Sequence, residues 1–164
     1  MTRIGLLSDT HGYIDEAVFR HFETCDTIWH AGDLGTADVA DRLAAFRPFT
    51  GVYGNIDGPD IRHRLPEQHV FLCEGVKVLI RHIGGIPPRY NPATRSELDR
   101  HRPNLFITGH SHILKIMYDR DRSCMFMNPG AAGRQGWHKI RTLVRFAIDG
   151  TDLRDCEVIE LGKR

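Results

Sequence analysis

Cysteine is scarce in this 164-residue sequence, and its four cysteines form no C-x-x-C pair. Cys25, Cys73, Cys124 and Cys156 are widely separated along the chain. Disulfide frameworks belong mainly to small secreted chains, whereas cytosolic proteins keep their thiols reduced. The sequence therefore predicts a cytoplasmic protein whose four cysteines are reduced and mostly buried.

The sequence also lacks a long apolar run and an excess of charge of either sign. No stretch reaches the roughly 18 apolar residues that a membrane span needs, and the apolar segment 4–7 is too short for a signal-peptide core. The 22 Lys and Arg residues nearly balance the 21 Asp and Glu residues, which leaves a net charge of +1. A membrane protein is therefore excluded, and a protein that grips long nucleic acid is disfavoured.

What remains is the composition of an ordinary globular domain, with 41% hydrophobic residues and a notable ten histidines. No internal repeat, low-complexity segment or linker divides the chain, so residues 1–164 are predicted to form a single domain. A homo-oligomer is compatible with this sequence, because it also predicts exposed hairpins.

The first third of the chain alternates between strand and helix patterns. Short apolar strands are predicted at residues 3–8, 27–31 and 48–53, with helices at 15–22 and after the N-cap residue Thr36. Strands that are separated by helices pair in parallel through right-handed crossovers.

The rest of the chain is richer in strands. Turn residues indicate hairpins that join 70–73 with 76–81, 114–118 with 124–127, and 143–148 with 153–159. A helix is predicted to begin at Asn91-Pro92, and a buried strand is predicted at 104–108. This order of elements predicts two packed sheets with helices outside, in an α/β arrangement.

Polar residues follow five of the predicted strands, at the point where each strand ends. The segments are Asp9-Thr10-His11, Gly32-Asp33, Gly54-Asn55-Ile56-Asp57, His82 and Gly109-His110-Ser111-His112. Because α/β proteins bind ligands at the carboxyl ends of their strands, we expect these side chains to gather at one site. Each motif alone is weak, since Gly-Asp and Gly-Asn-x-Asp also occur in plain turns. The ordered set of five carries the prediction.

The residue types in this set indicate a metal site. Residues i and i+2 of an extended segment point the same way, so Asp9 with His11, and His110 with His112, are each expected to grip one ion together. Carboxylate, amide and imidazole ligands without thiolate suit Mn²⁺, Fe, Zn²⁺, Co²⁺ or Ni²⁺. Seven such side chains exceed the needs of one tetrahedral ion and suit two ions that share a carboxylate.

The motifs, in this order, resemble those of the calcineurin-like metallophosphoesterase superfamily, in particular its small single-domain bacterial and archaeal phosphodiesterases. Asn128-Pro129-Gly130 also resembles a turn near the end of these proteins, and the resemblance runs from about residue 3 to residue 150. It implies a two-layer β-sandwich flanked by helices, with a site for two divalent ions, Mn²⁺ first among the candidates.

The resemblance also implies a role for each ligand. By position, Asp9, His11 and His112 would hold the first ion, Asn55, His82 and His110 would hold the second, and Asp33 would bridge them. Among these residues, Asp33, Asn55 and His82 are expected to take part in catalysis.

Two positions depart from the family pattern. Ile56 stands where many relatives have a catalytic histidine, or in some a cysteine, in Gly-Asn-x-Asp, and it cannot donate a proton. The family's His-Gly-His segment is His82-Ile83-Gly84 here, so the first ligand is kept and the second histidine is lost. We therefore expect good leaving groups such as nitrophenolate to be handled far better than alkoxides.

The predicted reaction is hydrolysis of a small phosphodiester by a hydroxide held between the two ions. Two divalent ions with the carboxylates of Asp9 and Asp33 leave a local charge of about +2, which attracts a phosphate ester to a nearly neutral protein. A phosphomonoesterase or a nuclease on short oligonucleotides is the alternative among enzymes. A non-catalytic scaffold, like the retromer subunit with this fold, is the alternative outside enzymes, and seven suitable ligands disfavour it.

Several further residues have two interpretations. His30 is expected either to orient Asp33 or the bridging solvent, or to be a plain core histidine. Asp57 is expected either to fix the loop that carries it or to cap a turn. Arg89 is a candidate for contacting a substrate phosphate and Tyr90 for stacking on a base, with an ordinary proline-stiffened loop as the alternative. The remaining histidines, interpreted as surface or packing residues, are His21, His63, His69, His101 and His138.

Overall fold

The computed structural model describes residues 1–164, and two five-stranded sheets form the centre of the fold. The first part of the chain holds β1 (Thr2–Leu7), α1 (Ala17–His21), β2 (Thr27–His30), α2 (Ala37–Phe46), β3 (Phe49–Gly51) and α3 (Pro59–Arg62). The second part holds β4 (Gln68–Cys73), β5 (Val76–Arg81), β6 (Gly85–Ile86), β7 (Arg89–Tyr90), α4 (Pro92–His101), β8 (Leu105–Ile107), β9 (Lys115–Asp119), β10 (Cys124–Asn128), β11 (Ile140–Asp149) and β12 (Asp152–Lys163).

The first sheet has the order β12-β11-β1-β2-β3. Strands β1, β2 and β3 pair in parallel, with Leu7 opposite His30 and His30 opposite Gly51. The predicted parallel pairing is therefore confirmed, and the carboxyl ends of these three strands lie side by side.

The second sheet has the order β4-β5-β8-β10-β9. Strands β5, β8 and β10 are parallel, whereas β4 and β9 form antiparallel hairpins with β5 and β10. The predicted hairpins are confirmed, and so is the third one, in which β11 pairs with β12 in the first sheet.

Three apolar clusters fill the spaces between the layers. Fourteen buried residues, among them Leu6 and Ile80, come from both sheets and pack between them. Thirteen more, including Leu7, pack the other face of the first sheet against α1, α2 and α3, and six, including Phe106, pack α4 against the second sheet. Because side chains alternate along a strand, Leu6 and Leu7 of β1 serve different clusters. The predicted sandwich flanked by helices is confirmed.

Three local features differ from the sequence-based expectations. Helix α3 and the two-residue strands β6 and β7 were not predicted, because such short elements carry no periodic pattern. Thr36 is the N-cap residue of α2, but its side chain makes no capping hydrogen bond. The last strand continues to Lys163 because it pairs with β11 along almost its whole length.

The cysteines are unpaired, and no helix has the length and apolar character needed to cross a bilayer. Cys25 and Cys124 are buried, Cys73 is partly buried and Cys156 is exposed. The absence of a disulfide agrees with the expectation of four reduced thiols.

Candidate metal centre

The seven predicted ligands all lie at one end of the sandwich, in loops that follow strands of both sheets. Asp9, Asp33 and Asn55 come after β1, β2 and β3 of the first sheet. His82 follows β5 and the loop with His110 follows β8, both in the second sheet. The two sheets therefore bring their loops to a common site, as their strand ends predicted.

Two groups of ligand atoms form within this site. Asp9, His11 and His112 form the inner cluster, and Asp33, His82 and His110 form the outer cluster; in each, the ligand atoms lie within 4.8 Å of one another. Asn55 belongs with the outer cluster, because its Oδ1 atom lies 3.0 Å from Nδ1 of His110.

Asp33 lies between the two clusters. Its Oδ2 atom is 3.2 Å from Nε2 of His82 in the outer cluster and 3.5 Å from Nε2 of His11 in the inner one. Its other oxygen, Oδ1, accepts a hydrogen bond of 3.0 Å from the backbone N–H of Ile56. One carboxylate oxygen is thus fixed by the protein, and the other is directed at both groups of imidazoles.

The ligand loops are not extended, so the expected i, i+2 geometry is wrong. Five of the ligands have a left-handed backbone, with φ of 54° at Asp9, 46° at His11, 59° at Asp33, 70° at His110 and 61° at His112. A non-glycine residue in this region costs about 1–3 kcal/mol and is typical of functional sites, although Asp and His tolerate it better than most. Asp9 and His11 meet in the inner cluster because the chain turns, and backbone bonds between loops, such as His11 N–H to Asp33 O at 3.0 Å, hold them there. His110 and His112 lie in different clusters, so the expectation that these two grip one ion together is wrong.

Two glycines permit the close approach of these loops. A Cβ atom on Gly54 would lie 2.0 Å from Oδ1 of Asp33, and one on Gly109 would lie 2.2 Å from Oγ of Ser8. No side chain fits in either space, which explains why glycine precedes Asn55 and His110.

Three buried polar atoms at the centre lack a hydrogen-bond partner: Oδ1 of Asp9, Nε2 of His11 and Nε2 of His82. Oδ1 of Asp9 lies 3.8 Å from each of these nitrogens and 3.1 Å from Nε2 of His112, with none of them in hydrogen-bonding geometry. An unpartnered buried polar atom is costly, so three that converge point to a missing partner. Carboxylate oxygens and imidazole nitrogens are the donors that divalent transition metals accept, so this set fits a metal ion.

The charges of the site favour the ligating forms of the carboxylates. Burial alone would raise the pKa of Asp9, but the imidazoles of His11 and His112 outweigh it and hold the pKa well below its ordinary value. Burial would likewise raise the pKa of Asp33, but the hydrogen bond and the charge of His82 outweigh it and lower the pKa. Both carboxylates are therefore ionised at neutral pH and available to a cation.

Hydrogen bonds select the ring nitrogen that each buried histidine turns to the centre. Nδ1 of His82 donates to the carbonyl of Ala31 at 2.7 Å, so in the neutral ring Nε2 is the nitrogen with a free lone pair. His138 Nε2 donates to the carbonyl of Gly133 at 2.7 Å, so its Nδ1 accepts from Nδ1 of His112 at 3.2 Å. Nε2 of His112 then also faces Asp9 as a free ligand atom.

His138 is therefore not the surface or packing residue that the sequence predicted. It lies 26 residues from His112 in the chain, and no motif links the two, so the sequence carries no signal of this contact. Trp137 beside it is almost fully exposed.

His30 is fully buried and binds the ligand loops through their backbone and Thr10. Its Nδ1 accepts from the N–H of Gly32 at 3.1 Å, and its Nε2 donates to Oγ1 of Thr10 at 3.0 Å. Thr10 in turn donates to the carbonyl of Leu34 at 3.0 Å. Burial lowers the pKa of His30 to about 3, so the ring stays neutral. His30 therefore contacts Gly32, which precedes Asp33, and Thr10, but it makes no hydrogen bond to the Asp33 carboxylate.

Asp57 joins two of the loops, as the loop-fixing interpretation expected. Its buried carboxylate accepts the backbone N–H groups of Leu34 at 3.2 Å, Gly35 at 2.8 Å and Gly54 at 2.8 Å. The loop of Asp33 and the loop of Asn55 are thus tied through one side chain.

The segment after His82 differs from its predicted role in one respect. Tyr90 is buried, and its hydroxyl donates to Oδ2 of Asp119 at 2.7 Å, so the expected stacking on a base is wrong. Arg89 is exposed on β7, and its contact with a substrate phosphate stays a prediction.

The two positions that depart from the family pattern, Ile56 and Ile83, carry no proton donor in their side chains. The side chains of Ile56 and Ile83 are both exposed beside the outer cluster. Ile56 contributes its backbone N–H to Asp33, and its side chain has no group that could protonate a leaving group.

Asn128, in the Asn-Pro-Gly turn, fixes the loop of His110 through side-chain hydrogen bonds. Its side-chain nitrogen donates to the carbonyl of Gly109 and to Oγ of Ser111, each at 3.0 Å. Its side-chain oxygen accepts the N–H of Gly130 at 3.0 Å. The turn that the sequence singled out thus positions a ligand loop.

Comparisons with known proteins find relatives along the whole chain. Residues 2–151 match the family model described as the calcineurin-like phosphoesterase superfamily domain. A probable metallophosphoesterase of Methanothermobacter thermautotrophicus is 32% identical over 168 residues, which cover 97% of this chain and 92% of that protein.

Solved structures share the fold. A mutant of Vps29 from Entamoeba histolytica superposes with a TM-score of 0.77 at 18% identity, covering 98% of this chain and 99% of that one. A Thermotoga maritima protein solved by NMR superposes with a TM-score of 0.73 at 26% identity, covering 98% and 100%. At 18% identity the likeness to Vps29 concerns the fold alone.

Proposed function

This chain belongs to the calcineurin-like phosphoesterase superfamily, and we propose that it hydrolyses small phosphodiesters with two divalent cations bound at the inner and outer clusters. The observation that carries the proposal is the convergence of three buried, unpartnered ligand atoms, on Asp9, His11 and His82. One buried carboxylate oxygen and two buried imidazole nitrogens without partners are costly unless a cation completes them.

The residues would divide between two ions as the clusters do. Asp9, His11 and His112 would hold one cation, Asn55, His82 and His110 would hold the other, and Asp33 would be shared. The cations, Mn²⁺ first among the candidates, would supply Lewis acidity that activates water and offsets charge developing on the phosphoryl oxygens.

The exposure of the outer cluster supports substrate entry on that side. His110 and Asn55 are exposed, whereas every member of the inner cluster is at least partly buried. We accordingly assign catalysis to Asp33, Asn55 and His82. Asp33 would be shared by the two cations, and Asn55 and His82 belong to the cluster that opens to solvent.

The absence of a protic side chain at residues 56 and 83 limits the choice of substrate. General acid catalysis is typically worth ~10²–10⁴-fold, and neither isoleucine can supply it. The enzyme would therefore favour esters whose leaving group needs no proton.

A scaffold role is a second candidate, favoured by the structural likeness to Vps29. Fold alone does not determine function, so the site has to decide. A scaffold that binds no metal has no use for strained ligand loops and three unpartnered buried atoms, and this chain has both. The scaffold alternative is therefore one that binds metal without hydrolysing an ester.

The test compares bis-nitrophenyl phosphate with nitrophenyl phosphate on protein stripped with chelator and reloaded with Mn²⁺, with bound manganese measured on the same samples. The proposal predicts metal-dependent hydrolysis with a higher kcat/KM for the diester. A higher kcat/KM for the monoester would make the protein a phosphomonoesterase. Stoichiometric manganese with no hydrolysis of either compound would favour the scaffold.

A further inference from the structure

The outer cluster lies where two clefts of different chemistry meet. The first, the arginine cleft, has a volume of about 210 Å³ and is lined by Asn55 and His82 together with Arg62 and Arg81. The second, the isoleucine groove, has a volume of about 180 Å³ and is lined by His110 with apolar residues. The clefts adjoin, because the rings of His82 and His110 are 5.3 Å apart and Asn55 contacts His110.

Arg81 lines the arginine cleft, and one donor of its guanidinium group has no partner. Its Nη1 donates to Oε1 of Gln68 at 3.0 Å, and its Nη2 lies 3.7 Å from the exposed carboxylate of Glu67. Its Nε–H is buried and has no hydrogen-bond partner. A buried guanidinium donor that is left unpaired calls for an acceptor, and an anion satisfies both its hydrogen bond and its charge.

Arg62 adds a second positive charge that the chain holds in place. Its Nε donates to the carbonyl of Asp57 at 2.6 Å, and its guanidinium lies over the ring of Tyr53, 4.5 Å from the centroid. These contacts leave Nη1 without a partner in the chain. With Glu67 as the only carboxylate in the lining, the arginine cleft keeps a net positive charge.

The isoleucine groove has the opposite character. Ile86 and Ile113 are 41% and 64% exposed, and with Phe126 they make the surface of the groove mostly apolar. Lys115 is the only lysine, arginine or carboxylate side chain in the lining. Exposed apolar side chains that cluster beside a site indicate a surface that a ligand covers.

We propose that the site selects an asymmetric phosphodiester, with one substituent that ends in an anionic group and one that is apolar. The anionic group, a carboxylate or a second phosphate, binds Arg81 and Arg62, and the apolar substituent lies along Ile86 and Ile113. The phosphodiester itself lies between them at the outer cluster. This inference rests on the proposed function, which supplies the position of the scissile phosphate.

The test uses matched ligands that differ only in the charged end of one substituent. Nitrophenyl 3-carboxypropyl phosphate and nitrophenyl butyl phosphate have the same leaving group, so the ratio of their kcat/KM values reports the anionic end. The corresponding nitrobenzylphosphonate monoesters, in which CH₂ replaces the leaving oxygen, give the same ratio as an equilibrium binding measurement. Charge-assisted hydrogen bonds predict a preference for the carboxylate of about tenfold or more in both ratios.

Variants then locate the two substituents. Arg81→Gln is expected to reduce both ratios towards one. Arg81→Lys is expected to do the same, because lysine retains the charge but lacks the Nε donor. Arg62→Gln is expected to reduce both ratios less. Arg64→Gln is the matched control, since Arg64 is exposed nearby, pairs with Asp41 and does not line the cleft. Ile113→Ser and Ile86→Ser are expected to weaken binding of both phosphonates several-fold. Leu72→Ser is the control, because Leu72 is exposed on β4 and does not line the groove.

Three outcomes separate the inference from the proposed function. Ratios of one in the wild-type protein, or ratios that survive both Arg81 variants, overturn the inference even if both diesters are hydrolysed. Unchanged phosphonate affinity in both isoleucine variants overturns the apolar part. Selective binding of the carboxylated phosphonate, with no hydrolysis of either diester, supports the inference and contradicts the proposed hydrolysis.

Discussion

The inner and outer clusters each have one carboxylate and two imidazoles, to which the outer cluster adds the amide of Asn55, but they differ in their access to solvent. Side-chain exposure in the inner cluster is 0% for Asp9, 11% for His11 and 13% for His112. In the outer cluster Asp33 and His82 are only 3% exposed, whereas His110 and Asn55 are open to solvent.

The protein also supports the two clusters differently. The inner one is backed by the His112–His138–Gly133 hydrogen bonds and by Ser8, whose hydroxyl donates to Oδ2 of Asp9 at 2.6 Å. The outer cluster is supported through its loops instead, because Asn128 holds the loop of His110 and Asp57 fixes the loop of Asn55. The side chains of His110 and Asn55 contact each other on the exposed side, where the arginine cleft and the isoleucine groove meet. In the proposed mechanism, a cation at the inner cluster would therefore serve structure and charge, and a cation at the outer cluster would meet the substrate.

The largest effect is expected where the two clusters join. Asp33→Asn removes the shared negative charge while it keeps an oxygen for the N–H of Ile56, so kcat should fall by about 10³-fold, at the upper end of the effect of removing one electrostatic group. Steady-state kinetics on bis-nitrophenyl phosphate checks this, with the exposed Asp38→Asn as control. Activity within tenfold of wild type would remove Asp33 from the proposed mechanism.

A somewhat smaller effect is expected from the open side alone. Asn55→Ala removes one exposed outer ligand and leaves the inner cluster intact, so kcat/KM should fall by about 10²-fold. The same kinetics, repeated over a range of Mn²⁺ concentrations, should show partial rescue by high metal. Complete loss with no rescue would mean that Asn55 has a role other than holding the outer cation.

The hydrogen-bond support of the inner cluster provides the next comparison. His138→Ala leaves Nδ1 of His112 without its acceptor, and loss of such an outer partner typically weakens metal binding by about 10–100-fold. Titration calorimetry with Mn²⁺ measures this, and His63→Ala, an exposed histidine outside the site, is the control. We assign the weaker binding step to the outer cluster, because His110 and Asn55 are exposed. A change in that step alone would mean that the assignment of His138 to the inner cluster is wrong.

The smallest effect is a gain. Ile56→His places a proton donor beside the outer cluster, so hydrolysis of diesters with alkoxide leaving groups should rise by about tenfold, below the ~10²–10⁴-fold of an evolved general acid. Hydrolysis of nitrophenyl diesters should change little, because nitrophenolate needs no proton. No gain with alkoxides would show that another group already protonates the leaving group.

The ligands could be predicted from the sequence because each follows a strand and the order of motifs is specific. Their backbone could not, since the left-handed turns at Asp9 and His11 are held by hydrogen bonds to loops distant in sequence. His138 has no motif that would join it to His112. Tyr90, which the sequence placed near a substrate, packs against Phe106 and Phe126, and its hydroxyl donates to Asp119 in the second sheet. Neither contact has a signal in the sequence.

The central claim is that two unequal cation sites share one centre, and a calorimetric titration of metal-free protein with Mn²⁺ tests it most directly. The account predicts two binding steps in the wild-type protein and the loss of the weaker step alone in Asn55→Ala. A single step in the wild-type protein, or the loss of both steps in Asn55→Ala, would contradict it.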